Sequence, residues 1–267
     1  MNFKTFLIVF FIFIFVCAGV AAFFWWQSRE GVIVLTPSPS ILPSESPQAE
    51  VSASPEISPT SSTATPYWQK GEISRGNPNK KQIIFTFDAG AADNSALKII
   101  EVLKKHGIKS TFFLTGNFAD KYPEITKIIS QDGHEIFNHS YSHPDFTKIS
   151  NEEMKGELEK AELVISSKTG KTTKPYFRSP YGARNNNVSA IAKENGYQLV
   201  FWSNDALDWK EGKTPEEVKQ KIYTGLKNGA IILMHIGDDI TGNVLDEVFT
   251  KIENDGYKIV SLTEGLK

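Results

Sequence analysis

The segment Lys81-Gln82-Ile83-Ile84-Phe85-Thr86-Phe87-Asp88 reads as a buried strand, an apolar run of strand length that stops on a charged side chain. Directly after it, residues 94–105 place Ala96, Ile99, Ile100 and Leu103 at helical spacing. The alternation then repeats: strand-like runs fall near 109–115, 134–138, 175–178, 197–202, 230–234 and 257–262, separated by helical patterns or by loops with stop signals. Two helix starts are well marked. Ser150 has Glu153 three residues on, and Thr214 is followed by Pro215 and then Glu217, both capping-box spacings. Repeated strand–helix units predict parallel strands with helices packed outside them, in a barrel or a doubly wound sheet. Pattern alone does not choose between the two, but both bind ligands beyond the carboxyl ends of their strands.

The chain before this alternation differs in kind. Phe6 to Trp26 contains no charged residue, and eight of the 18 Phe lie within the first 26 positions. Such a run is long enough to cross a bilayer, which takes about 20 apolar helical residues. Lys4 precedes it and Trp25-Trp26 close it, predicting a single membrane-spanning anchor over residues 1–27 with the rest of the chain outside the cytoplasm. A cleaved signal peptide, with secretion, is the competing expectation, since Ala18, Gly19, Ala21 and Ala22 offer small residues for cleavage. Residues 28–66 carry seven of the 13 Pro with many Ser and Thr and no hydrophobic period, which predicts a disordered linker. The domain expected to carry the function is therefore 67–267. The formal charge of −2 belongs wholly to the first 66 residues, so this domain is electrically balanced and has no basic footprint for nucleic acid. The lone Cys17 excludes an intramolecular disulfide.

The strand ends collect polar residues. Asp88 follows the first strand, His139 and His143 the third, Arg178 the fourth, Asp205 and Asp208 the fifth, and His235 ends the run Ile231-Ile232-Leu233-Met234. Each has an ordinary structural explanation when taken alone. Asp88 can cap a helix, His235 can be a packing histidine, Arg178 a salt-bridge partner, and Asp205 and Asp208 loop caps. His139-Ser140-Tyr141-Ser142-His143 is an HxxxH spacing that can set two imidazoles on one cation. Convergence from five strand ends is what points to a catalytic face. His106, beside Gly107, and His134, after Asp132-Gly133, fit structural roles at element ends.

Five motifs in order resemble the polysaccharide deacetylase family, the NodB-homology domain of carbohydrate esterase family 4. They are Thr86-Phe87-Asp88-Ala89-Gly90, His139-Ser140-Tyr141-Ser142-His143, Arg178-Ser179-Pro180-Tyr181-Gly182, Asp205-Ala206-Leu207-Asp208-Trp209 and Leu233-Met234-His235. The resemblance implies an α/β fold, a distorted (β/α) barrel with about seven parallel strands, and hydrolysis of N-acetyl groups on the amino sugars of a glycan, most readily peptidoglycan. It further implies Asp88 as general base, His235 as general acid, Asp208 as the carboxylate that tunes the acid, and Arg178 as the residue that holds the base. His139 and His143 are implied as metal ligands, Tyr181 as an oxyanion donor through its backbone N–H, and Trp209 and Leu233 as the lining of the acetyl pocket. The expected cofactor is a divalent metal, zinc first, with cobalt and nickel as alternatives.

Hydrolysing an amide asks for these groups: a polarised carbonyl, an activated water and a protonated leaving nitrogen. One departure stands out. Most members carry a second Asp after the base as a metal ligand, and this chain has Ala89. Asp93 is expected to compensate, with Asp238 as the substitute behind it. Ala89 also keeps a non-catalytic glycan-binding protein in contention. An O-acetyl esterase acting on xylan would use nearly the same site, whereas a glycosidase built on Asp205 and Asp208 is disfavoured by their closeness in sequence. Expected partners are an N-acetylated glycan and, through the anchor, the membrane; no protein partner is inferred.

Overall fold

The structure is a computed structural model that describes residues 71–90 and 92–267. The predicted anchor (1–27) and the whole of the predicted linker (28–66) lie outside the described residues. Among the described residues no helix is long and apolar enough to cross a membrane.

Eight strands form one parallel sheet: β1 (Gln82–Ala89), β2 (Thr111–Leu114), β3 (Glu135–Asn138), β4 (Tyr176–Phe177), β5 (Gln198–Leu199), β6 (Asn204–Asp205), β7 (Ala230–His235) and β8 (Lys258–Val260). Seven follow the order β5-β4-β3-β2-β1-β7-β6, and β8 pairs with the start of β1. The helices are α1 (Ala96–Lys105), α2 (Gly116–Lys121), α3 (Pro123–Gln131), α4 (Asn151–Thr169), α5 (Asn186–Glu194), α6 (Pro215–Thr224), α7 (Asp239–Asn254) and α8 (Leu262–Gly265).

β1 is buried on both faces, which explains its nearly continuous apolar run. Ile83, Phe85, Phe87 and Ala89 join the core between sheet and helices, while Ile84 packs into a second core with Phe113, Phe137, Val200, Ile231, Val260 and Leu262. The period of two therefore puts Ile84, Thr86 and Asp88 on one face, rising from an apolar floor to a polar tip. Burial of each large apolar side chain contributes roughly 1.5–3 kcal/mol.

The sheet curls like a barrel without a strand ladder joining β5 to β6 among the described residues. The seam is bridged by the incoming chain: Ile73 pairs with Val200, Arg75 with Ala230, and the Gly76 N–H donates to Gly229 O. Gly71 accepts from Gln198 at the start of β5. A side chain on Gly76 would collide with Gly265 O and Ile84, and one on Gly229 with the Gly76 backbone, so both positions demand glycine for close approach.

Two expectations need correction. The predicted strand 197–202 is shorter: β5 covers Gln198–Leu199, Val200 makes one bridge to Ile73, and the Val200 and Phe201 carbonyls accept from the Arg178 guanidinium; β6 begins beyond it, at Asn204. The predicted strand 257–262 ends at Val260, since Leu262 already opens α8.

Both capping boxes are formed, with the Ser150 and Thr214 hydroxyls accepting from the Glu153 and Glu217 N–H groups and each Glu reaching back. Replacing Ser150 by Ala is expected to cost about 1 kcal/mol, seen as a lower urea midpoint with an unchanged m value.

Candidate active site

Asp88 stands at the end of β1, beside His235 at the end of β7, because the two strands pair in that register. The Arg178 guanidinium reaches it from the loop after β4, Nη1 donating to Asp88 Oδ1 at 2.6 Å and to Thr86 Oγ1 at 2.9 Å. Arg178 is completely buried, with the Phe113 ring 4.1 Å from its guanidinium carbon. Burial pushes the Asp88 carboxyl up, but Arg178, His139 and His235 outweigh it and hold the group below the usual carboxylate range. Asp88 is therefore an anion at neutral pH, with one oxygen fixed by Arg178.

The other oxygen, Oδ2, lies 3.6 Å from His139 Nε2. His139 Nδ1 is 2.8 Å from the Arg178 carbonyl oxygen, which can only accept, so Nδ1 carries the proton and Nε2 the lone pair. Burial lowers the His139 pKa to about 4, and burial also lowers that of His143. Both imidazoles are neutral, the form that ligates metals, and their centroids are 4.9 Å apart. The loop that carries them is irregular, with left-handed φ at Ser140 (68°) and His143 (66°). It is held by Glu157 on α4, which accepts from the N–H groups of Tyr141 and Ser142 and from the Ser142 hydroxyl, and by Asn138, which accepts from the Ser140 N–H. Neither support was singled out from sequence. Glu157 is an unmarked residue of an amphipathic helix, and only the fold brings it to the loop.

On the opposite side His235 Nδ1 meets Asp208 Oδ1 at 2.9 Å, and the His235 backbone N–H donates to Asp208 Oδ2. Thr241 donates to the same Oδ2 at 2.6 Å, and the Trp209 N–H to Oδ1. Burial alone would lower the His235 pKa, but the Asp208 hydrogen bond and charge, aided by Asp88 and Asp238, raise it above the usual histidine value. With Nδ1 engaged, Nε2 is the nitrogen left for proton transfer.

These residues surround a cavity of about 620 Å³, lined among others by Asp88, His139, His143, Ser179, Leu233 and His235. Tyr181 and Trp209 line it too, yet are 71% and 52% exposed. Trp209, expected with Leu233 to line the acetyl pocket, lies at the rim of the cavity, its indole N–H donating to Asp205 at 3.3 Å. Leu233 is buried, on the inner face of β7. Asp93 does not reach the cavity, whose lining on that segment is Gly90 and Ala92.

A polysaccharide deacetylase model matches residues 75–200. The peptidoglycan-N-acetylglucosamine deacetylase of Bacillus cereus is 35% identical over 191 residues, 70% of this chain and 69% of that protein. The chain belongs to the polysaccharide deacetylase family. The peptidoglycan-N-acetylmuramic acid deacetylase PdaA of Bacillus subtilis is equally similar, 35% identical over 191 residues that make up 71% of this chain and 73% of that one. Among solved structures, a CE4 family pseudoenzyme from Bacillus anthracis aligns with a TM-score of 0.70 at 33% identity, covering 73% of this chain and 69% of that chain. The enzyme class of the family is that of a deacetylating hydrolase, and the curled parallel sheet is the barrel that the sequence leads one to expect.

The deacetylase family is metal-dependent as a rule, so its donor set has to be compared with this cavity. Two neutral imidazoles and the free oxygen of Asp88 suit a divalent ion. Position 89 supplies no carboxylate: Ala89 is fully buried on the face of β1 that carries Phe85 and Phe87. A second group, Asp208, His235 and Asp238, also has potential ligand atoms within 4.8 Å of one another. It suits a metal poorly, because Asp208 already accepts four hydrogen bonds and His235 Nδ1 is one of their sources.

Two outcomes follow for this site. Calorimetric zinc titration of the purified chain is expected to show one site that weakens at least about tenfold in His139→Ala and in His143→Ala and is unchanged in Asp93→Ala. In a pH profile of kcat/KM, the acid limb lies below the ordinary Asp pKa, and activity falls as pH rises through a His235 pKa above the ordinary histidine value. Asp208→Asn is expected to move that alkaline limb to lower pH.

Proposed function

We propose that the chain removes N-acetyl groups from amino sugars of a cell-envelope polysaccharide, peptidoglycan first among them. The observation that carries this reading is the pairing of Asp88 with His235 across β1 and β7, each polarised by its own buried partner, Arg178 or Asp208, over one cavity. Binding alone requires neither an anion held ready to take a proton nor an imidazole held ready to give one.

In this reading Asp88 takes the proton of the attacking water while Arg178 keeps its carboxylate aimed. The carbonyl oxygen gathers negative charge beside the Tyr181 backbone N–H, in a turn with φ of 59°. His235 gives its proton to the departing nitrogen, and Asp208 steadies the imidazolium. His139 and His143 are the residues that would hold a divalent ion, whose Lewis acidity polarises the acetyl carbonyl. The reaction takes place outside the cytoplasm, with residues 6–26 as the membrane attachment; the support for this is the uncharged apolar run and its aromatic end.

Ala89 and the similarity to a pseudoenzyme favour a second reading, a glycan-binding protein without turnover. Mass spectrometry of N-acetylglucosamine oligomers and peptidoglycan fragments incubated with the protein, with and without zinc, separates the two. Loss of acetyl units, reduced at least about 100-fold in Asp88→Asn, is the expected outcome. Binding of the same oligomers with no acetate released would establish the second reading instead.

A further inference from the structure

The cavity is lined by three carboxylates and by no Lys or Arg among the described residues. Asp88 is neutralised by Arg178, which lies buried behind it. Asp205 accepts from the Leu207 N–H and from the Trp209 indole. Arg184, three residues beyond Tyr181 at the rim, pairs with Glu72 and lies over the Phe201 ring.

Asp238 differs from the other two. It is the N-cap residue of α7, but its side chain makes no capping hydrogen bond, and it has no Lys or Arg partner among the described residues. A carboxylate oxygen of Asp238 lies within 4.8 Å of the Asp208 and His235 ligand atoms, on the side of the cavity from which the leaving nitrogen is protonated.

This arrangement bears on which amino sugar enters. The two N-acetylated sugars of peptidoglycan differ at one place: muramic acid carries a lactyl ether on O3, next to the carbon that bears the acetamido group. A sugar seated with its acetamido nitrogen at His235 therefore brings the lactyl group close to the reacting centre. In strands without peptide that group is a carboxylate, and it would meet the Asp238 carboxylate, whose neighbouring cation, the His235 imidazolium, is already matched by the buried Asp208 carboxylate. We infer that the cavity selects neutral N-acetylglucosamine units against N-acetylmuramic acid with a free lactyl carboxylate, and that Asp238 is the specificity-determining residue. The inference rests on the proposed deacetylase reading for its substrate class, but the selection itself acts at binding.

The test compares an N-acetylglucosamine tetramer with a peptide-free tetramer of alternating N-acetylglucosamine and N-acetylmuramic acid, and with the same alternating tetramer after conversion of its lactyl carboxylates to carboxamides. Affinity is measured by calorimetry on the full chain, and acetyl loss is mapped to individual sugars by mass spectrometry. The neutral tetramer is expected to bind about tenfold or more tightly than the acidic one at low salt, the scale of one like-charge contact near a protein surface. Amidation, high salt and Asp238→Asn should each close most of that gap. Asp238→Ser, which also keeps an N-capping side chain, should do the same. A gap that survives amidation or both substitutions, or a preference for the muramic acid tetramer, overturns the inference. Absence of acetate release from every tetramer would remove the proposed reaction, while the binding comparison would still decide the selection.

Discussion

A guanidinium with no access to water has to find its whole hydrogen-bonding environment inside the protein, because an unpaired buried charge costs several kcal/mol. Arg178 meets that demand with Asp88, Thr86 and the carbonyls of Val200 and Phe201, while Phe113 covers one face of its plane. The consequences run outward from there. Asp88 is kept ionised and aimed, the carbonyls after β5 are engaged by the guanidinium, and the peptide oxygen of the same residue sets the tautomer of His139. One residue thus couples the Asp88 carboxylate to the imidazole beside it.

The opposite wall repeats the principle with the charges exchanged. Asp208 is buried and surrounded by donors from His235, Trp209 and Thr241, so its negative charge is spent on keeping an imidazole protonated. His235 and Asp88 therefore owe their opposite tendencies to two separate buried partners, and strand register sets the spacing between them. The site is preorganised in the sense that neither group has to reorient before use.

Much of this was legible in the sequence. The apolar strand run of Ile83 to Phe87 and the capping boxes at Ser150 and Thr214 depend on local chemistry alone, and they read through directly. Asp88, His139, Arg178, Asp208 and His235 were visible because parallel strands deliver their last residues to a common end. What stayed hidden depends on contacts between distant segments. Glu157, Asn138 and Thr241 carry no local mark, and nor does the use of the Val200 and Phe201 carbonyls by an arginine some 20 positions earlier. Asp93 illustrates the complementary point: nearness in sequence to a strand end does not fix which way a loop turns, and Gly90 and Ala92 are the residues of that segment that line the cavity.

The segment that enters the domain is tied to the cavity rim. Ile73 runs beside Leu199 to Phe201 at the end of β5, and Arg75 and Gly76 then meet Ala230 and Gly229 at the start of β7. Glu72 pairs with Arg184, three residues after Tyr181, whose turn lines the cavity. The residues that close the open seam of the sheet therefore also brace the turn that carries Tyr181, so sheet closure and the shape of the rim depend on one short stretch of chain.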